Sequence, residues 1–290
     1  MKRWKPYVLM APALISFVIF VFWPLIYTFY LSFFDWNMVK PTKAFVGFAN
    51  YIKVFTDPTI RRVMGNTMLY LLLLVVMSFI LPYILSFVLA HILKKGRGFY
   101  RSGFFLPSVI SLVISSILYL WILNPVSGPL ALILKVFGIT LPVWTKTSGW
   151  GIVVLSIITT WKSFGYNFIV LLGGILGVDG SVIEAAKLEG ISSARLFADF
   201  VLPMSSATGV FVFITSIVQG LQFVFTPIKV LTQGGPNYGT SNMIYHSYHE
   251  AFTLYQTGVS SAISIVTLSI FIILLALEVH FVERGIYYEN

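Results

Sequence analysis

The 290-residue chain has no cysteine. Disulfides, thiolate metal sites and cysteine nucleophiles are therefore excluded. Charge is nearly as scarce. Only 10% of the residues are Asp, Glu, Lys or Arg, where a soluble domain carries about 25%. With 58% hydrophobic residues and a mean hydropathy of +0.89, so few charges cannot cover a water-facing surface. Much of the chain must be solvated by lipid. Motifs that carry chemistry are missing too. There is no G-x-x-x-x-G-K-[ST] loop to cradle a phosphate, no H-E-x-x-H and no G-x-S-x-G. No N-x-[ST] glycosylation acceptor occurs. An integral membrane enzyme would have no metal or nucleophile cluster to work with.

What is present is a set of long apolar runs. A span needs about 20 mostly apolar residues, at about 1.5 Å rise each across roughly 30 Å of hydrocarbon. Six stretches qualify, at about 7–34, 67–93, 104–123, 151–178, 202–224 and 259–282. The first is too long for the roughly 7–15-residue apolar region of a signal peptide and is read as an uncleaved span. The expectation is an all-α polytopic protein, one membrane domain over residues 1–290. Pro24, Pro82 and Pro107 fall inside spans, where neighbours can satisfy the freed carbonyls.

The net charge of +9 gathers at the edges of these runs. It reads as topology and head-group contact and not as a nucleic-acid footprint. Lys2, Arg3 and Lys5 at the start, and Lys94, Lys95, Arg97 and Arg101 in the short second loop, put both on the cytoplasmic side. The C-terminus and the 179–201 segment then follow. Lys40, Lys43, Lys53, Arg61 and Arg62 in the longer first outside loop pull the other way. Outside loops are expected at 35–66, 124–150 and 225–258. The second holds an amphipathic piece, Leu130 to Phe137. The third holds the turn-forming Thr232–Thr240 stretch, rich in glycine with a proline. His246 and His249 are three apart in that third loop, where two histidines are ordinarily just solvated.

One charged stretch interrupts the apolar pattern: SVIEAAKLEGISSARLFADFVLP, residues 181–203. Ser181 can cap a helix, with Glu184 three residues later as in a capping box. Ala185 to Glu189 are good helix formers. Gly190 can take the left-handed conformation that ends a helix. Ser192 or Ser193 can cap a second short helix through Phe200. Two short helices meeting at Gly190 would present small alanines outward, so that a partner's backbone can approach. A plain connecting loop between spans four and five is the alternative.

This segment resembles the EAA loop of ATP-binding-cassette (ABC) importer permeases, E-A-A-x(3)-G-x(9)-I-x-L-P. The matching residues are Glu184, Ala185, Ala186, Gly190, Leu202 and Pro203. Phe200 replaces the usual isoleucine, and Glu189 stands where aspartate is common. FVGFANYIKVFTDP ahead of NTMLY, WKSFGYNFIVLLGGILGV and VLTQGGPNYGTSNMIYHSYHEAF are similar to the carbohydrate-uptake branch, of maltose and glycerol-phosphate importer type. The resemblance covers about residues 7–285. It implies that the two short helices couple to a separate cytoplasmic ATPase dimer that binds ATP and Mg, leaving no cofactor in this chain. It also implies a second homologous permease subunit, an extracytoplasmic solute-binding protein, and a bacterial or archaeal inner membrane. Glu184 would pair with a basic group of the ATPase, and Gly190 would permit the bend.

Polar residues within spans are costly and tend to face a bundle interior or a cavity. Trp161, Lys162, Tyr166 and Asn167 in span four, and Gln219, Gln222 and Thr226 in and after span five, are the candidate solute contacts. Aromatic rings can stack on a sugar face, and the others can hydrogen-bond hydroxyls. The same groups can instead hold helices together. A neutral oligosaccharide is the expected solute, with glycerol phosphate or a related ester as the alternative. A six-span secondary transporter or channel would need coupling carboxylates within spans, and only Glu278 qualifies.

Overall fold

The computed structural model describes residues 5–93 and 95–282. Lys2, Arg3 and Lys94, and the side chains of Lys5 and Glu278, lie outside the described residues. The orientation given by these basic groups, and the place of Glu278 within a span, therefore rest on sequence.

Among the described residues, five helices are long and apolar enough to cross a membrane: α1 (Tyr7–Leu31), α3 (Pro58–Ile92), α7 (Ser148–Leu176), α10 (Ser206–Thr232) and the stretch Thr257–Ala276 of α12 (Thr257–Val282). The expected third span is not a single helix. It is a broken pair, α4 (Arg97–Val109) and α5 (Leu112–Ile122), bent by 102°. Counting that pair as one span gives six. The break follows from Pro107, which sits in a tight 3₁₀ turn over Leu106–Val109 and has no N–H to donate. The shorter helices are α2 (Ala49–Thr56), α6 (Pro129–Val136), α8 (Gly180–Leu188), α9 (193–204) and α11 (Met243–Phe252). A two-stranded hairpin pairs β1 (Phe34–Asp35) with β2 (Ala44–Phe45).

The fold divides into two compact units. One takes the chain up to Arg61 together with His246–Ile270; the other takes Arg62–Tyr245 and the chain from Phe271 onward. In the larger unit α7 is the centre. Its buried face includes Leu155, Ile158, Phe168, Leu171 and Ile175. Gly165 lets α7 touch the bend: a Cβ there would overlap the Phe104 carbonyl oxygen. The Thr232–Thr240 turn is irregular, as its composition predicts, with positive φ at Gln233, Gly234, Asn237 and Tyr238. It is tied down by α3. Asn66 donates to the Tyr238 and Ser241 carbonyls at 2.9 and 3.1 Å, and the buried Tyr70 hydroxyl donates to Thr240 O at 2.8 Å.

In the smaller unit, Asn50 of α2 is buried and donates to the Ser32 and Phe34 carbonyls at 2.9 and 3.0 Å. These bonds fasten α2 beneath the hairpin. The backbone N–H of Thr257 donates to Trp36 O at 3.0 Å. Ser247 hydrogen-bonds Ser260 and Ser264 at 3.0 and 2.6 Å, joining α11 to α12.

Candidate functional site

The charged stretch folds as two short helices meeting at Gly190. α8 runs over Gly180–Leu188, and its first cap is not Ser181. Asp179 takes that place, its carboxylate accepting from the Ser181 N–H at 2.8 Å. That hydrogen bond holds the Asp179 carboxyl below its ordinary range. The helix starts earlier than the Ser181 reading because Asp179 reaches the free N–H groups of the first turn. Its end is as expected. Gly190 has φ +72°. The Gly190 N–H donates to Lys187 O at 3.1 Å and the Ile191 N–H to Ala186 O at 3.2 Å, which is a Schellman turn. Ser192 then caps α9, accepting from the Arg195 N–H at 3.5 Å.

The two alanines part company. Ala185 is exposed, but Ala186 is buried in one core cluster with Ile183, Leu196 and Val201. The same cluster contains Tyr83 and Phe87 of α3 and Phe168 and Leu171 of α7. The Phe197 ring meets those of Tyr83 and Phe87 at 5.6 and 5.0 Å. One face of the segment is thus seated on the span core. The other carries Glu184, Ala185, Lys187 and Glu189 into solvent, together with Leu188 at 90% exposure. Leu202 and Pro203, where the segment leads toward α10, are exposed as well.

The intramembrane residues divide similarly. A cavity of about 460 Å³ is lined by Phe104 and Pro107 at the bend, Tyr119 of α5, and Thr160, Trp161 and Phe164 of α7, among others. Trp161 packs edge-on to Tyr119 at 5.5 Å. Lys162 points its amine to the Ser108 carbonyl, satisfying backbone that the Pro107 break frees. Asn167 is buried, its amide donating to Ser78 O at 2.6 Å and to Ser216 Oγ at 3.0 Å. It ties α7 to α3 and α10. Tyr166, Gln219 and Gln222 are exposed on their helices, and Thr226 is half-buried. The structure therefore gathers Trp161 with Tyr119, Phe104 and Phe164, and does not gather the other six with it. Tyr119 and Phe104 escape a reading of single spans because the bend, invisible in hydropathy, brings them to Trp161.

His246 does not sit in a wet loop. It lies on α11 at 1% exposure, with Nε2 3.5 Å from Glu250 Oε1 one turn on. Burial lowers its pKa to about 4 and raises that of Glu250. His249 stacks on His246 at 6.4 Å between ring centres. No group of three or more metal-ligating side chains forms among the described residues.

Comparison with known proteins adds the family. Residues 83–286 match the model of the binding-protein-dependent transport system inner membrane component. The sn-glycerol-3-phosphate transport system permease protein UgpA of Brucella abortus is 30% identical over 284 residues, covering 98% of this chain and 96% of that one. The "Probable ABC transporter permease protein YurN" of Bacillus subtilis is 30% identical over 283 residues, covering 97% and 96%. Among solved structures, a bacterial ABC transporter involved in the import of the acidic polysaccharide alginate superposes with a TM-score of 0.83 at 21% identity, covering 97% of this chain and 96% of that one. The last likeness is one of fold. The apolar helices, the seated helix–turn–helix and the match over most of the chain converge: this protein belongs to the binding-protein-dependent inner-membrane transport components and is a permease subunit of an ABC importer, a transport subunit and not an enzyme.

Proposed function

We propose that this permease forms part of the translocation path for a sugar, moved by alternating access that ATP hydrolysis in separate subunits drives. A second homologous permease completes the path, and an extracytoplasmic binding protein delivers the solute. ATP and Mg are held by a cytoplasmic ATPase dimer, and this chain carries no cofactor of its own. Its termini and the α8–α9 segment face the cytoplasm.

The observation that carries this reading is the two-sided α8–α9 segment. Its inner face is locked into the same core as α3 and α7. A push on the outer face is therefore transmitted to the spans as a rigid-body displacement, because a packed core does not deform continuously. Leu188 offers an apolar knob, and Glu184 and Glu189 offer flanking charges for a basic groove. For the solute, the Trp161–Tyr119 corner supplies aromatic faces on which a sugar ring stacks, with Thr160 beside them, its hydroxyl hydrogen-bonded to that of Ser78 at 3.1 Å. The second reading, glycerol phosphate or a related ester, is favoured by the UgpA relatives. Lys162 counts little toward it, since its amine is engaged by Ser108 O.

The test uses the absence of cysteine. Leu188→Cys, with one cysteine in the docking groove of the co-expressed ATPase, should form an ATP-sensitive disulfide, which requires α-carbons within about 7 Å. Ala186→Cys, buried, should not. Failure at Leu188 and at Glu189, with labelling of Leu188→Cys from the extracytoplasmic side of intact cells, would reject both the topology and the coupling role. Uptake of labelled oligosaccharide against glycerol phosphate in proteoliposomes separates the two solute readings.

A further inference from the structure

Helix α3 contains a weak turn in the middle of its span. Over Val76–Ile80 it winds wide, with the Leu81 N–H bonding back five residues to Val76 O, and Pro82 follows at once. The ordinary helical donor to Ser78 O would be residue 82, and proline has no N–H. Side chains of two other spans take its place. The Asn167 amide of α7 donates to Ser78 O at 2.6 Å, and the Ser216 hydroxyl of α10 donates to it at 3.3 Å. Wide turns and prolines are where helices bend. The middle of α3 is therefore a hinge, held from outside by α7 and α10.

This hinge has a different neighbour on each side. Within its own turn, Met77 and Leu81 line the cavity that Trp161 and Tyr119 also line. Just beyond Pro82, Tyr83 and Phe87 share a core with the α8–α9 segment and meet the Phe197 ring. Bending over 76–82 therefore moves the seat of that segment relative to the cavity wall. One side-chain contact crosses from the cavity to the hinge. Thr160 lines the cavity, and its hydroxyl lies 3.1 Å from that of Ser78, which is 1% exposed. Ser163 Oγ makes a longer contact to the same Ser78 hydroxyl, at 3.4 Å. A hydroxyl has one O–H to give and two lone pairs to offer, so the bond to Ser78 leaves Thr160 able to bond a solute hydroxyl in the cavity.

We propose that Ser78 is a positioning residue that reads the occupancy of the cavity through Thr160 and sets the α3 hinge. With the cavity empty, the Ser78–Thr160 contact ties the hinge to α7. A solute that hydrogen-bonds Thr160 turns its hydroxyl away from Ser78. One tie on α3 is then lost, and the alternative bend of the hinge gains population. Tyr83 and Phe87 move with the C-terminal half of α3, so the change reaches the α8–α9 segment. A solute shifts such an equilibrium only by the difference in its affinity for the two states, and the Thr160 hydroxyl is where that difference arises. The inference rests on the reading of the cavity as a solute site and of α8–α9 as the ATPase contact, and the experiment separates it from the solute reading.

The importer is assembled with its partner permease, ATPase and binding protein in proteoliposomes. ATP hydrolysis is measured without solute, and then with a labelled neutral trisaccharide or labelled glycerol phosphate whose uptake is followed. Ser78→Ala and Thr160→Val each remove the contact. Each should raise solute-free hydrolysis about threefold to twentyfold, the population change that one intramembrane hydrogen bond carries. Each should also shrink the further rise on adding solute. Thr160→Ser, which keeps the hydroxyl, should rise less than Thr160→Val. The double variant Ser78→Ala/Thr160→Val should exceed neither single variant, because both break the same contact. A merely structural loss lowers hydrolysis or accumulates across the pair. A solute-free rate at or below that of the wild type in either single variant, or rises that multiply in the double variant, overturns the proposal. Uptake of neither probe by the wild type would reject the solute reading alone, and the solute-free comparison still decides the role of Ser78.

Discussion

Gly190 gives the most direct measure of how the coupling segment is built. It sits at φ +72°, and a Cβ added there would meet nothing within 4 Å. Space is therefore not the reason for glycine; torsion is. An L-residue in the left-handed region costs roughly 1–2 kcal/mol, and asparagine is among the residues that tolerate it best. Gly190→Ala should thus raise the population of the locally opened turn by a factor of about 5–30 at an RT of about 0.59 kcal/mol. Gly190→Asn should raise it less. Lys187 and Arg195 flank the turn and are exposed, so trypsin reads that population directly. When the turn opens and closes faster than it is cut, the cleavage rate follows the open fraction. Cleavage at Lys187 and Arg195 in the folded, detergent-solubilised protein should accelerate by that factor in the alanine variant and by an intermediate one in the asparagine variant. Equal rates for wild type and Gly190→Ala, or equal acceleration by Ala and Asn, would refute the torsional account.

Three other perturbations have definite signs. His246 is buried as the neutral imidazole, with His249, Glu250, Asp57 and Lys53 around it and a pKa lowered to about 4. Between the ordinary histidine value of about 6.5 and about 4 the unfolded chain binds a proton that the folded chain does not, so this group's stabilising contribution is lost as pH falls through that window. The raised carboxyl of Glu250 acts in the opposite sense, losing its contribution as pH rises through its folded pKa. His246→Gln should therefore flatten or reverse the acid-side fall of the thermal midpoint between pH 6.5 and 4.5; an unchanged slope contradicts the burial argument. Asn167→Ala removes the donor to Ser78 O and Ser216 Oγ, leaving Ser78 O only the Ser216 hydroxyl at 3.3 Å among side chains, and should lower the thermal midpoint, at about 0.6–2 kcal/mol for an intramembrane hydrogen bond, with solute affinity retained. Trp161→Ala should do the reverse, weakening solute uptake with a smaller thermal shift, and a loss of uptake confined to Asn167→Ala would exchange the two roles.

Apolar length is a local property, and so is the demand of a left-handed turn for glycine. That is why the membrane class, the long helices, the α8–α9 pair and its Gly190 pivot were legible from the residues alone. Lipid leaves a backbone few options but the helix, and no distant partner alters that. The rest depended on contacts far along the chain. Ala186 faces inward and Leu188 outward because Tyr83 and Phe87, a hundred residues earlier, form the seat for α8. Lys162 and Asn167 looked alike as polar groups in a span. Their roles were decided by which backbone carbonyl lay opposite, Ser108 at the Pro107 break and Ser78 on α3. The bend between α4 and α5, which turns two apolar half-helices into the wall of a cavity, has the same hydropathy as a straight span. Composition determined which segments leave water. Only the tertiary structure decided which polar groups are spent on the fold and which surfaces remain for a solute, a partner or lipid, because a buried donor bonds the nearest acceptor in space and not in sequence.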